Sequence, residues 1–128
     1  MAVRKQYHFW PGVTGLDAWD VDQLIELSQS LPVKKVHVSS IGEVDTVYWF
    51  NDEADPPTVR SVVDHARLIE EADLSYPIIL GHDGRVMDGM HRIARALLEG
   101  RETIEAVQFE EPIPPDYQDC RPDDLPYD

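Results

Sequence analysis

Residues 86–100 read VMDGMHRIARALLEG, and Asp88, Gly89, His91 and Arg92 fall together where an apolar run gives way to helical spacing. These residue types, in this order, are suited to holding a phosphate. The first turn of a helix carries unpaired backbone N–H groups and the positive end of the helix dipole, so it attracts anions. Gly89, without a side chain, lets a phosphate approach the backbone beside the amides of Met90 and His91. Arg92 can grip phosphate oxygens with a planar fork. His91 can donate a hydrogen bond or shuttle a proton. Asp88 can hold a metal ion such as Mg²⁺, or a substrate hydroxyl. A plainer reading uses the same residues: Asp88 as a helix N-cap, Gly89 as relief for a tight strand-to-helix turn, and His91 and Arg92 in solvent.

The elements that would position this box follow from hydrophobic spacing. YPIIL (76–80) predicts a buried strand, GHDG (81–84) a tight turn, and RVM (85–87) a return strand, together a hairpin. Gly89 to Glu99 predicts a helix with a core stripe of Met90, Ile93, Ala94, Leu97 and Leu98, closed by Gly100 in a left-handed C-terminal position. TIEAVQF (103–109) predicts a last strand. Upstream, Asp20 with Gln23 forms a capping-box pattern before a helix presenting Val21, Leu24, Ile25, Ser28 and Leu31. Val33 to Ser39 alternates as a strand does, VYWF (47–50) reads as a short strand or a pocket wall, and Thr58 caps a helix with a stripe of Val59, Val62, Val63, Ala66 and Ile69. The expected fold is a single small α+β domain over residues 1–111, with a mixed sheet and packed helices. An acidic, proline-rich tail over 112–128 is expected to be extended, without regular secondary structure.

Charge narrows the function classes. The 128 residues carry 11 Lys+Arg against 25 Asp+Glu, a net charge of −14. Residues 110–128 hold seven of the acids and one base, which leaves −8 on the rest of the chain. No basic track exists for a nucleic-acid backbone, and an anionic membrane would be repelled, so neither DNA nor membrane is an expected partner. The single cysteine, Cys120, excludes an internal disulfide, and MAVRKQYHFWPG at the N-terminus lacks a long apolar run, so the expected location is the cytoplasm.

Residues 76–109 resemble the core of the ParB/sulfiredoxin superfamily: an apolar strand, a glycine turn, a second strand, a DG-x-HR box opening a helix, and a closing strand. VHVSSIGEVDTVYW (36–49) is similar, less specifically, to the family's first strand and turn. The resemblance implies a nucleotide-phosphate site at Gly89, Met90, His91 and Arg92. ParB proteins carry a GERR-type box that binds CTP, which DGMHR does not match. Sulfiredoxins carry a reactive cysteine where Met90 stands. The box is closest to that of the superfamily's free serine kinases, which move a nucleotide phosphate to a small hydroxyl compound. That likeness implies ATP or ADP with Mg²⁺, Asp88 and His91 at the site, and Glu43 or Asp45 as the base that accepts the hydroxyl proton.

Other candidates carry plainer alternatives. Arg60 either closes over a phosphate or pairs with Asp64 one helical turn on, and His65 and Arg67 read as surface residues. Trp10, Trp19, Tyr48, Trp49 and Phe50 line a pocket or build core. His8, His37 and His82 have no ligand spacing between them. Three classes follow: a nucleotide-dependent phosphotransferase, a non-catalytic nucleotide-sensing or protein-interaction module, and, least in keeping with the charge, a ParB-like nuclease.

Overall fold

A strand with no polar alternation, like YPIIL, must have both of its faces covered. The computed structural model, which describes residues 6–12, 15–50, 52–53 and 55–127, meets that demand. Strand β1 (Tyr7–Pro11) and β2 (Leu16–Asp20) lead into α1 (Val21–Ser28) and β3 (Lys34–His37). Then come α2 (Val59–Glu71), β4 (Ile78–Leu80), β5 (Val86–Asp88), α3 (Met90–Leu98), β6 (Thr103–Gln108) and β7 (Tyr117–Cys120). The central sheet has the order β3-β6-β4-β5. It is mixed: β4 runs parallel to β6, while the β4–β5 hairpin and the β3–β6 pair are antiparallel.

The period of two along each strand sorts the core into two layers. Ile78, Leu80, Val86, Ile104 and Ala106 point to one face and meet Met90, Ile93 and Ala96 of α3, with Val38 and Ile41. Ile79, Val107 and Phe109 point to the other and meet Leu24 of α1, with Trp19 and Met87 packed alongside. The chain is therefore one small α+β unit, as the hydrophobic spacing predicts. Among the described residues no helix is long and apolar enough to cross a membrane.

The two ends of the chain differ from expectation. β1, β2 and β7 form a second, antiparallel sheet that spacing alone did not predict. The proline-rich tail contributes its outer strand, because the segment between Pro115 and Pro122 is proline-free and long enough for a short edge strand. Its other anchors are specific. Trp19 Nε1 donates to the Ile113 carbonyl (2.7 Å), and Tyr7 donates to the Pro126 carbonyl. The Asp20 N–H donates to Asp116 (2.8 Å), so Asp116 takes the role that a capping box gives to Gln23. Asp20 itself caps α1 by accepting from the Asp22 N–H (2.9 Å).

Three other expectations are corrected. β3 stops at His37, where the chain tightens into a 3-10 turn over Val38–Ser40. Val47 and Tyr48 pair in no sheet; VYWF is a pocket wall, not a strand. In α3 Leu97 and Leu98 are exposed and Ala96 is buried, because the inward face follows the three-residue spacing Met90, Ile93, Ala96. Most of the apolar stripe of α2 is likewise turned out: Val59, Val62 and Val63 are 83%, 48% and 47% exposed, and of the predicted stripe Ile69 alone is half-buried, alongside Ser61 and His65. No Arg60–Asp64 ion pair forms among the described residues.

A docked tail has a measurable cost of removal. Leu125 is 7% exposed, so Leu125→Ala should destabilise the fold by about 2–3 kcal/mol in urea denaturation. A loose tail would give a change within about 0.5 kcal/mol.

Candidate functional site

The box is built around a corner that only glycine can turn. β5 ends at Asp88 and α3 begins at Met90, so Gly89 alone makes the junction, with φ +109°. A Cβ on Gly89 would lie 2.7 Å from Ile78 Cγ2, so the close approach to β4 forbids a side chain as firmly as the left-handed backbone does. The N-cap is Gly89, not Asp88, and it supplies no side-chain bond.

Asp88 and Arg92 instead hold each other. Arg92 Nη2 donates to Asp88 Oδ2 at 2.7 Å, and both side chains are 17% exposed. Arg92 Nη1 reaches on to the carbonyls of Tyr76 (3.1 Å) and Pro77 (2.8 Å). Burial raises the Asp88 carboxyl above its ordinary value, although Arg92 and the Gly89 N–H pull it down. Both charges that sequence reasoning assigned to ligand are thus engaged within the fold. A resident Mg²⁺ does not fit at Asp88, whose carboxylate already has these partners, and no group of three or more acidic, His or Cys side chains among the described residues could hold a metal.

A cavity of about 500 Å³ opens beside this corner. Its walls are residues 88–92, Ile25 and Ser28 of α1, Gln29 just after it, Leu68 and Glu71 of α2, and Asp73, Tyr76 and Pro77 before β4. The first bond within α3 runs from the Ile93 N–H to the Gly89 carbonyl (3.0 Å). The amides of Met90, His91 and Arg92 precede it and have no intrahelical acceptor. Glu71, Asp73 and Asp88 outnumber Arg92 in the wall, so an anion entering here is favoured only if it brings a counter-ion.

His91 is drawn away from a simple solvent position. Its Nε2 lies 2.8 Å from Nδ1 of His65 on α2. The Trp49 ring stacks on His65 at 4.5 Å and on His91 at 4.6 Å, and the two imidazoles are 5.1 Å apart and within 18° of parallel. Those three distances put both imidazoles side by side over one face of the indole. Burial, with His65 adding to it, lowers the His91 pKa from 6.5 to about 4, so at neutral pH its ring is uncharged. His65, expected at the surface, is therefore part of the site, and so is Trp49; their positions in the sequence give no spacing signal that joins them to His91.

The two candidate bases separate. Asp45 is exposed in the 3-10 turn Gly42–Asp45 and joins nothing at the corner. Glu43 turns inward: its Oε1 accepts the Val86 N–H at 2.9 Å, and its Oε2 is buried without a partner. Glu43 lines a second, apolar pocket, which shares only Met90 with the cavity beside Gly89. Of the remaining aromatics, Trp10 lies beneath the Arg85 guanidinium, 4.1 Å from its ring centre, and Trp19 packs on the core. No family model, curated protein or solved structure matches this chain.

Two outcomes follow. Gly89→Ala should cost at least about 2 kcal/mol of stability, from the left-handed backbone and the Ile78 clash together, as read by chemical denaturation. The second concerns pH. Because the folded His91 pKa lies below 6.5, the unfolded chain binds the proton first, and stability falls as pH drops from 6.5 to about 4. In melting curves across that window, His91→Gln should lose less stability than the wild type; equal losses would contradict the assignment.

Proposed function

We propose that this chain is a ligand-binding domain of the ParB/sulfiredoxin type, whose cavity beside Gly89 takes a nucleotide, ATP or ADP foremost, through its phosphates. The observation that carries this reading is the coincidence of a cavity of about 500 Å³ with a helix N-terminus whose first amides have no intrahelical acceptor. A volume of this size suits a nucleotide-sized ligand. In this reading the amides of Met90, His91 and Arg92 donate to phosphate oxygens, and Gly89 permits the approach. The Arg92 guanidinium and Asp88 serve as the clamp that holds the rim, not as phosphate ligands. Mg²⁺ arrives on the nucleotide and offsets the charges of Glu71 and Asp73.

A phosphotransferase would in addition need a base beside the transferred phosphate. Glu43, the inward-facing candidate, lines the other pocket across Met90, so binding without turnover is the reading that the geometry favours. The exposed valines of α2 favour an interaction surface as a second role of such a module.

The test is a titration of ATP, ADP, CTP and pyrophosphate with Mg²⁺, read by calorimetry and by thermal shift. A ligand at a hundred times its dissociation constant should stabilise the protein by about 2.7 kcal/mol. Gln29 lines the cavity and is exposed, so its charge can be changed without harm to the fold. Gln29→Glu should weaken nucleotide binding about threefold, and Gln29→Lys should tighten it by a similar factor. Equal affinities in both variants, or no binding at millimolar nucleotide, would overturn the reading.

A further inference from the structure

β1 and β2 carry a row of rings outside the cavity beside Gly89. His8 stands opposite Trp19 in the strand pairing, and Trp10 lies two residues along the same face. The His8 imidazole is stacked beside Trp10, ring centres 6.4 Å apart, and tilted against Trp19 at 5.6 Å. A pocket of about 170 Å³ is lined by this row together with Asp83, Arg85 and Met87 of the β4–β5 hairpin. It shares no residue with the cavity beside Gly89. His8 is the polar group that the fold leaves open there. Among the described residues neither of its ring nitrogens makes a hydrogen bond. Neither is sealed, since Glu43 Oε2 is the one side-chain polar atom among those residues that is buried without a partner. The half-buried ring lines this pocket and neither of the two described above.

These features select one chemistry. The fixed charges of the wall cancel, with Arg85 Nε 3.3 Å from Asp83 Oδ2. Burial lowers His8 from 6.5 to about 4, so its ring is uncharged at neutral pH. An anion meets a cation that is already paired, and enters against the chain's charge of −14. A cation is repelled by the Arg85 guanidinium, which already takes the Trp10 face at 4.1 Å. An uncharged aromatic ring suits the indoles, and a cavity of about 150 Å³ is enough to hold a benzene ring. A hydrocarbon would leave the imidazole unanswered. A neutral imidazole has one N–H donor and one acceptor nitrogen, and a hydroxyl can answer either. We propose that this pocket binds a small uncharged aromatic molecule with a hydroxyl group, its ring against Trp10 and Trp19 and its hydroxyl hydrogen-bonded to a ring nitrogen of His8. The site does not depend on the nucleotide reading.

Phenol is the probe, with toluene as a counterpart of the same shape that lacks the hydroxyl. Both are titrated into the whole chain and followed by calorimetry and by the indole N–H signals in ¹H–¹⁵N spectra. The wild type should bind phenol saturably, and at least about fivefold more tightly than toluene, as one uncharged hydrogen bond requires. The indole signals of Trp10 and Trp19 should move as phenol saturates, while that of Trp49, which lines another pocket, stays where it is. His8→Phe keeps an aromatic ring in β1 and removes both nitrogens, so phenol and toluene should then bind alike. Equal affinity for phenol and toluene in the wild type, an unchanged preference for phenol in His8→Phe, movement of Trp49 with Trp10 and Trp19 unmoved, or no saturation at millimolar phenol would each overturn the proposal. Should His8→Phe fail to fold, the preference for phenol and the indole signals of the wild type decide by themselves.

Discussion

The Asp88–Arg92 pair holds the part of this molecule where chemistry is possible. It spans the Gly89 corner, and through the Tyr76 and Pro77 carbonyls it also ties the first turn of α3 to the chain entering β4. Three segments are thereby fixed by one guanidinium. The pair is largely removed from water, so loss of either partner would leave the other charge buried and unanswered. With the corner held, the first residues of α3 line the cavity, and His91 is set against His65 and Trp49. A motif that reads as a phosphate grip is, in its charged side chains, a structural clamp, and its remaining capacity for a ligand lies in the backbone.

That distinction marks the boundary of what the sequence could disclose. The hairpin, the amphipathic α3, the glycine at its end and the closing strand were all legible, because each depends on local spacing or on a residue with restricted backbone freedom. The strand-to-helix junction at Gly89 was legible for the same reason. The partners of Asp88 and Arg92 were not, because the acceptors at Tyr76 and Pro77 are backbone carbonyls, which no residue type reports. The Trp49–His65–His91 stack was hidden in another way: it joins a loop and two helices that periodicity describes one at a time. The outward turn of Val59, Val62 and Val63 shows a limit of amphipathic reasoning, since a stripe identifies an apolar face and not what covers it. The tail misled through its prolines, which exclude a long strand but leave room for a short edge strand at Tyr117–Cys120.

Met90 stands at the centre of the functional geometry. As the first residue of α3 it packs into the core and lines both the cavity beside Gly89 and the pocket that Glu43 also lines. The two spaces differ in character. The first offers backbone donors within an acidic rim, and the second offers one carboxylate within an aromatic wall. On a chain of net charge −14, a bare phosphate would enter the first space against the overall field, and a metal ion carried on that phosphate would offset the repulsion.

Any phosphate bound here should meet the backbone amides of α3 and leave the Arg92 clamp closed. Two-dimensional ¹H–¹⁵N NMR of the labelled protein titrated with Mg²⁺-pyrophosphate tests it directly, because backbone and guanidinium signals are read separately. The amide signals of Met90, His91 and Arg92 should move as the ligand saturates, while the guanidinium signals of Arg92 stay where they are. Movement of the Arg92 guanidinium with those amides unmoved would contradict it, and would mean that the clamp opens to take the phosphate itself.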